Sequence, residues 1–112
     1  MNKELRQAFQ HELITAKVLY LEGDFDNCFL HLERAHILGQ SYVFRHTLSH
    51  WWMLKVGFKT GDKKEVLGQV MRIFASIIFS RIWVPKGNTG GANVNPFRPM
   101  PIPDDLRKLL RD

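Results

Sequence analysis

The chain has 112 residues, 45% hydrophobic and 24% charged, the balance of one folded domain that can bury a core without crosslinks, which excludes a disordered chain. Its formal charge of +5 sets 16 Lys and Arg against 11 Asp and Glu, but the basic residues are scattered and not interleaved with aromatics, so the basic balance is weak evidence for a nucleic-acid partner and none is expected. The single cysteine, Cys28, excludes an internal disulfide and a zinc-ribbon spacing, and points to a reducing, cytoplasmic setting.

The opening residues, Met1 to Gln7, are charged and lack the apolar run of a secretory signal. From Lys3 to Glu22, Leu5, Phe9, Leu13, Ala16 and Tyr20 recur at spacings of three and four, which predicts a helix ending at Gly23. Asp24 is placed to cap a second helix that carries Cys28, Phe29, Leu32, Ala35 and Ile37 and stops at Gly39. Gly39-Gln40-Ser41 reads as a turn, with Ser41 capping a third helix through His46, His50 and Leu54 toward Gly57. A fourth helix is expected after Gly61, where Asp62 and Glu65 resemble a capping box and Val66, Val70, Ile73, Phe74 and Ile77 give an apolar face. The most hydrophobic stretch, Ile73 to Ser80, lies between Arg72 and Arg81 and is far shorter than the roughly 20 residues of a spanning helix. No membrane protein is expected.

These elements predict an all-α fold of two packed antiparallel helical hairpins over residues 1–84. Glu22-Gly23-Asp24 recurs as Thr60-Gly61-Asp62, with Cys28 matching Val66 and Leu32 matching Val70, so each half reads as one hairpin. The first hairpin resembles a tetratricopeptide unit in the placement of Ala16, Leu19, Tyr20, Gly23, Phe25, Cys28, Leu32 and Ala35. The second departs from that pattern at Trp51 and Trp52. Residues 85–112 form a Pro/Gly-rich tail, interrupted by Pro85, Pro96, Pro99, Pro101 and Pro103. Val94, Phe97, Met100 and Ile102 are apolar anchors that should hold this tail against the helices, and Asp104 and Asp105 should open a short last helix.

Four residues near the centre form a spaced set. Glu33 and His36 are three apart and His46 and His50 four apart, so each pair shares one face of its helix. If the two helices fold back about Gly39-Gln40-Ser41, residues whose numbers sum to about 82 face each other, which puts His36 opposite His46 and Glu33 opposite His50. Imidazoles four apart can share a divalent zinc, copper, nickel or iron ion, and a carboxylate suits the same preference. Glu12, on the first helix, is a further ligand candidate. The competing reading has the histidines buried and hydrogen-bonded to neighbours such as Glu33 or Glu12. Thr47 stands where a zinc peptidase would need its glutamate, which argues against that chemistry.

Other features carry weaker readings. Gly87-Asn88-Thr89-Gly90-Gly91 lacks the Lys-Ser or Lys-Thr ending of a nucleotide loop and reads as a tight turn. Cys28 stands where a small buried residue is wanted, so an inert thiol is expected over a nucleophile. Trp51, Trp52 and Trp83 could serve a partner surface.

Glu33 to Gln40, His46 to Leu54, Gly68 to Arg72, Gly87 to Gly91 and Met100 to Leu106 together resemble a bacterial family catalogued as domain of unknown function 3703. The resemblance covers nearly the whole chain and implies no activity. It implies company with heavy-metal resistance genes, which favours a metal site by association alone. The sequence therefore supports divalent metal binding at Glu33, His36, His46, His50 and Glu12, for sequestration or sensing. The alternative is a tetratricopeptide-like adaptor holding a protein partner or a second copy, with structural histidines. An enzyme ranks last, since no nucleophile or cofactor loop accompanies the histidines.

Overall fold

The computed structural model describes residues 1–79, 86–96 and 98–110; Trp83, Val84, Pro85, Phe97 and Arg111 lie outside the described residues. Four main helices pack one against the next: α1 (Lys3–Glu22), α2 (Phe25–Gly39), α3 (Val43–Thr60) and α4 (Lys63–Phe79). A one-turn helix α5 (Asp104–Arg107) follows the irregular segment. The described residues include no strand, and no helix among them is long and apolar enough to cross a membrane.

The two predicted junctions share one construction. Gly23 and Gly61 adopt φ of 79° and 71°, the left-handed conformation that ends a helix at little cost only in glycine. The next residue then caps the following helix: Asp24 accepts from the Asn27 N–H at 3.3 Å and Asp62 from the Glu65 N–H at 3.0 Å. The second half of the expected capping box is absent, because the Glu65 carboxylate accepts from Gln69 Nε2 at 2.6 Å and from the Ala92 N–H at 3.0 Å.

Helix α3 departs from expectation at both ends. Tyr42, not Ser41, is its N-cap, and no side chain caps it. The tight turn closed by the Tyr42 N–H on Gly39 O, at 2.9 Å, carries the chain past Ser41 before the helix begins. At the other end α3 runs through Gly57 to Thr60. Gly57 is a packing glycine, since a Cβ there would meet Val66 Cγ2 at 3.1 Å where α3 and α4 cross.

Leu5, Phe9, Leu13 and Ala16 of α1 pack on Cys28, Leu32, Ala35 and Ile37 of α2, with Met53 and Val56 of α3 completing the core. Leu32 is fully buried, which stabilises the fold by about 1.5–3 kcal/mol for a side chain of that size. Leu106 of α5 joins this core, and Ile102, Leu109 and Leu110 pack against it. Arg34 of α2 ties the arrangement together by bonding both Glu12 of α1 and Asp105 of α5.

Helix α4 is oriented against expectation. Of the expected apolar face, Val66 and Ile73 are half-buried, but Val70, Phe74 and Ile77 are exposed, with Phe74 65% accessible. The inward side of α4 instead carries Gln69 and Ser76, both buried, with Glu65 and Arg72 half-buried beside them. Their partners explain the turn of the helix. Gln69 and Arg72 bond the irregular segment at Gly90 O and Val94 O, and Ser76 meets Thr47 of α3 at 2.8 Å. Buried polar groups must find such partners, whereas apolar groups can remain in water at lower cost.

Candidate metal centre

His36 lies in the last turn of α2, and His46 and His50 lie on successive turns of α3. The hairpin about Gly39 brings the three rings into mutual contact, with centroids 4.6–4.8 Å apart. Their Nε2 atoms converge: 3.0 Å between His36 and His46, 3.1 Å between His36 and His50, and 3.1 Å between His46 and His50. Sequence spacing paired His36 with His46 and Glu33 with His50. The structure joins His36 to His46 in that way and brings His50 to the same point.

The other ring nitrogens define the protonation of two of these rings. His36 Nδ1–H donates to Asn88 O at 2.7 Å, an atom that can only accept. His50 Nδ1 lies 2.6 Å from Gln69 Oε1. The orientation of that amide is fixed by its Nε2, which donates to Glu65 Oε2 at 2.6 Å and to Gly90 O at 2.8 Å. Oε1 therefore faces His50 as an acceptor, and His50 Nδ1 must donate. With the proton on Nδ1 in both rings, the Nε2 atoms of His36 and His50 present lone pairs to each other. His46 Nδ1 is buried and has no hydrogen-bond partner, so its proton can occupy Nε2 and donate to one of the other two rings.

Protonating the cluster further is unfavourable. Burial holds His36 well below the ordinary histidine value, with the neighbouring His50 and His46 adding to the effect. Burial likewise lowers His46 to about 4 and His50 to about 3. At neutral pH the site is thus three neutral imidazoles with their donor nitrogens drawn together.

Sequence reasoning missed the residues that aim the rings. Asn88, 2% exposed, folds the Gly-rich segment onto itself: its Nδ2 donates to Asn95 O and Arg98 O, each at 2.7 Å, and its Oδ1 accepts from the Gly90 N–H at 2.9 Å. Gln40 Oε1 accepts from the Gly87 N–H at 2.9 Å, fastening the segment to the end of α2. Asn88 O and Gly90 O consequently point at the site. Gly90 has φ +86°, and an added Cβ would stand 2.6 Å from His36 Cδ2. The glycines of Gly87-Asn88-Thr89-Gly90-Gly91 were the one sequence signal available.

The two carboxylates proposed as ligands are elsewhere. Glu12 is buried between α1 and α2, accepting from His31 Nδ1–H at 2.8 Å and Arg34 Nε–H at 2.8 Å. Glu33 bonds Thr89 and lines a groove of about 660 Å³ with Asp26, Asp62 and Glu65. Burial, then the neighbouring Glu65, raises its carboxyl above the ordinary value. His11 is exposed on α1. Among the described residues, the one group with metal-ligand geometry is His36, His46 and His50. Cys28 is buried among apolar neighbours, and burial lifts its thiol to about 11, aided by Asp24.

Neither the curated proteins nor the solved structures offer a match to this chain. The family model described as protein of unknown function (DUF3703) matches residues 3–110. The chain therefore belongs to that family.

Proposed function

We propose that the protein captures a divalent first-row transition metal at His36, His46 and His50, for sequestration or sensing in the cytosol. One observation carries this reading: His36 and His50 are both held as Nδ1–H tautomers by fixed acceptors, yet their Nε2 lone pairs meet at 3.1 Å. Two lone pairs at that distance repel, and a cation between them turns the repulsion into coordination. A carbonyl or amide oxygen on the far nitrogen is also the usual support of a metal-bound histidine.

The spacing suits such an ion. With nitrogens 3.0–3.1 Å apart, a metal at roughly 2.0–2.1 Å from each would stand about 1 Å out of their plane, with N–metal–N angles of roughly 95–100°. That lies between octahedral and tetrahedral values and leaves further positions for water or another ligand. A neutral three-imidazole set suits zinc, copper, nickel or iron over magnesium or calcium. His46 must then carry its proton on Nδ1.

The test is elemental analysis of untagged protein, then titration of the metal-free form with zinc, copper, nickel and iron beside the His46→Ala/His50→Ala variant. One equivalent bound at micromolar or tighter affinity, and lost in the variant, is expected. A folded wild type that binds none of the four refutes the reading.

A second reading is a tetratricopeptide-like adaptor. It draws on Trp51, 50% exposed on α3, and on the groove between Phe25, Phe29 and Val56. Loss of a protein partner on Trp51→Ala, with metal indifference, would favour it.

A further inference from the structure

Helix α4 has its amphipathic character inverted relative to its own domain. Glu65, Gln69, Arg72 and Ser76 face inward, whereas Leu67, Val70, Met71, Phe74, Ile77 and Ile78 are 38–65% exposed. A solvated helix normally turns the polar stripe outward. Beyond Lys63 and Lys64 in the first turn, this outer face carries no charge.

The six apolar residues repeat with a period of seven: Leu67 with Phe74, Val70 with Ile77, and Met71 with Ile78. That is the spacing of a seam between paired helices, with two columns in contact and a third flanking them. At about 200 Å² for a large side chain, the observed exposures leave on the order of 700 Å² of apolar surface on one helix. The largest apolar patch of an ordinary monomer is about 300–600 Å². Two such faces brought together would remove on the order of 1,200 Å² from water, the lower edge of a specific interface.

We propose that this outer face of α4 is a homodimer interface, in which two copies of the chain pair their α4 helices about a two-fold axis. A seven-residue apolar repeat is self-complementary under that symmetry and needs no second sequence to match it. A lipid surface fits less well, because an interfacial helix is flanked along its length by Lys and Arg, and here the two lysines stand at one end. The interface goes beyond the metal reading and stands without it, since its residues are not among the hydrogen-bond or ring partners of the three histidines.

The test is sedimentation equilibrium of the full chain, metal-free and metal-loaded, at up to ~100 µM, well above the Kd of a modest specific pair. Wild type should show twice the 13.1 kDa of one chain. Phe74→Glu and Leu67→Lys should each show a single chain, with the helical circular dichroism of wild type retained because both positions are exposed. Should one variant fail to fold, the other decides. A monomeric wild type, including one that binds only lipid vesicles or another protein, overturns the proposal. A folded variant pair that remains dimeric also overturns it, by placing the contact elsewhere.

Discussion

Gly90 lies flat against the imidazole of His36, so close that one added methyl group at Gly90 would stand 2.6 Å from the ring. The contact joins the irregular segment to the histidine that meets both others. Its backbone, at φ +86°, is also one that L side chains rarely adopt. Gly90→Ala should therefore act twice, destabilising the fold by about 1–3 kcal/mol through strain and displacing His36 from its partners. Urea unfolding and zinc titration of the variant measure the two effects separately. Wild-type metal affinity in Gly90→Ala would show that the segment does not set the ring.

Gln69 is a positioning residue, reaching the site through the Nδ1–H of His50. Gln69→Leu keeps much of the side-chain volume but removes that acceptor, and should weaken metal binding about 10–100-fold. Nitrogen NMR of the histidines distinguishes this from general damage. In wild type His50 should be the Nδ1–H tautomer, and in Gln69→Leu that preference should relax while His36 keeps its own.

Acid should destabilise the metal-free protein. His46 and His50 are lowered to about 4 and about 3, and His36 well below its ordinary value, so the unfolded chain takes up protons that the folded site refuses. Stability is then retained above about pH 6.5 and falls below it, by about 1.4 kcal/mol per pH unit for each histidine held neutral. Urea midpoints from about pH 7.5 down to 5 report this slope. A flat profile would mean that the rings protonate within the fold.

The Arg34 bridge gives an unequal pair of substitutions. Asp105 is 61% exposed and Glu12 only 8%. Asp105→Asn should cost within about 0.5 kcal/mol, as surface ion pairs do. Arg34→Met leaves the Glu12 carboxylate buried with His31 as its one remaining partner among the described residues, and should cost about 3 kcal/mol. Equal losses would place the worth of the bridge at α5.

How the sequence maps onto the structure follows from where each signal resides. Helix periods and the Asp24 and Asp62 caps are local, so α1, α2 and the start of α4 could be read directly. The three histidines were readable as a set because helical spacing and one turn bring them together. Glu33 was misplaced opposite His50: three residues before His36, it looks into the neighbouring groove. Glu12, a ligand candidate from α1, is held instead by His31 and Arg34 of α2. Periodicity identifies which residues of α4 share a face and not which way the face turns, and that choice was made by distant partners of Gln69, Arg72 and Ser76. The acceptors at Asn88 and Gly90 are main-chain carbonyls, which leave no mark in residue identity.

The dependence of His36 and His50 on Asn88 O and Gln69 also has a temporal side. A ribosome makes all three histidines well before it makes Asn88 and Gly90. A nascent or interrupted chain would thus carry the donor nitrogens without the carbonyls that aim them, free to take either tautomer and to seize metal in any geometry. On the proposed metal reading, selective capture would depend on segment 86–96, the stretch whose synthesis turns three ordinary histidines into an aimed cluster.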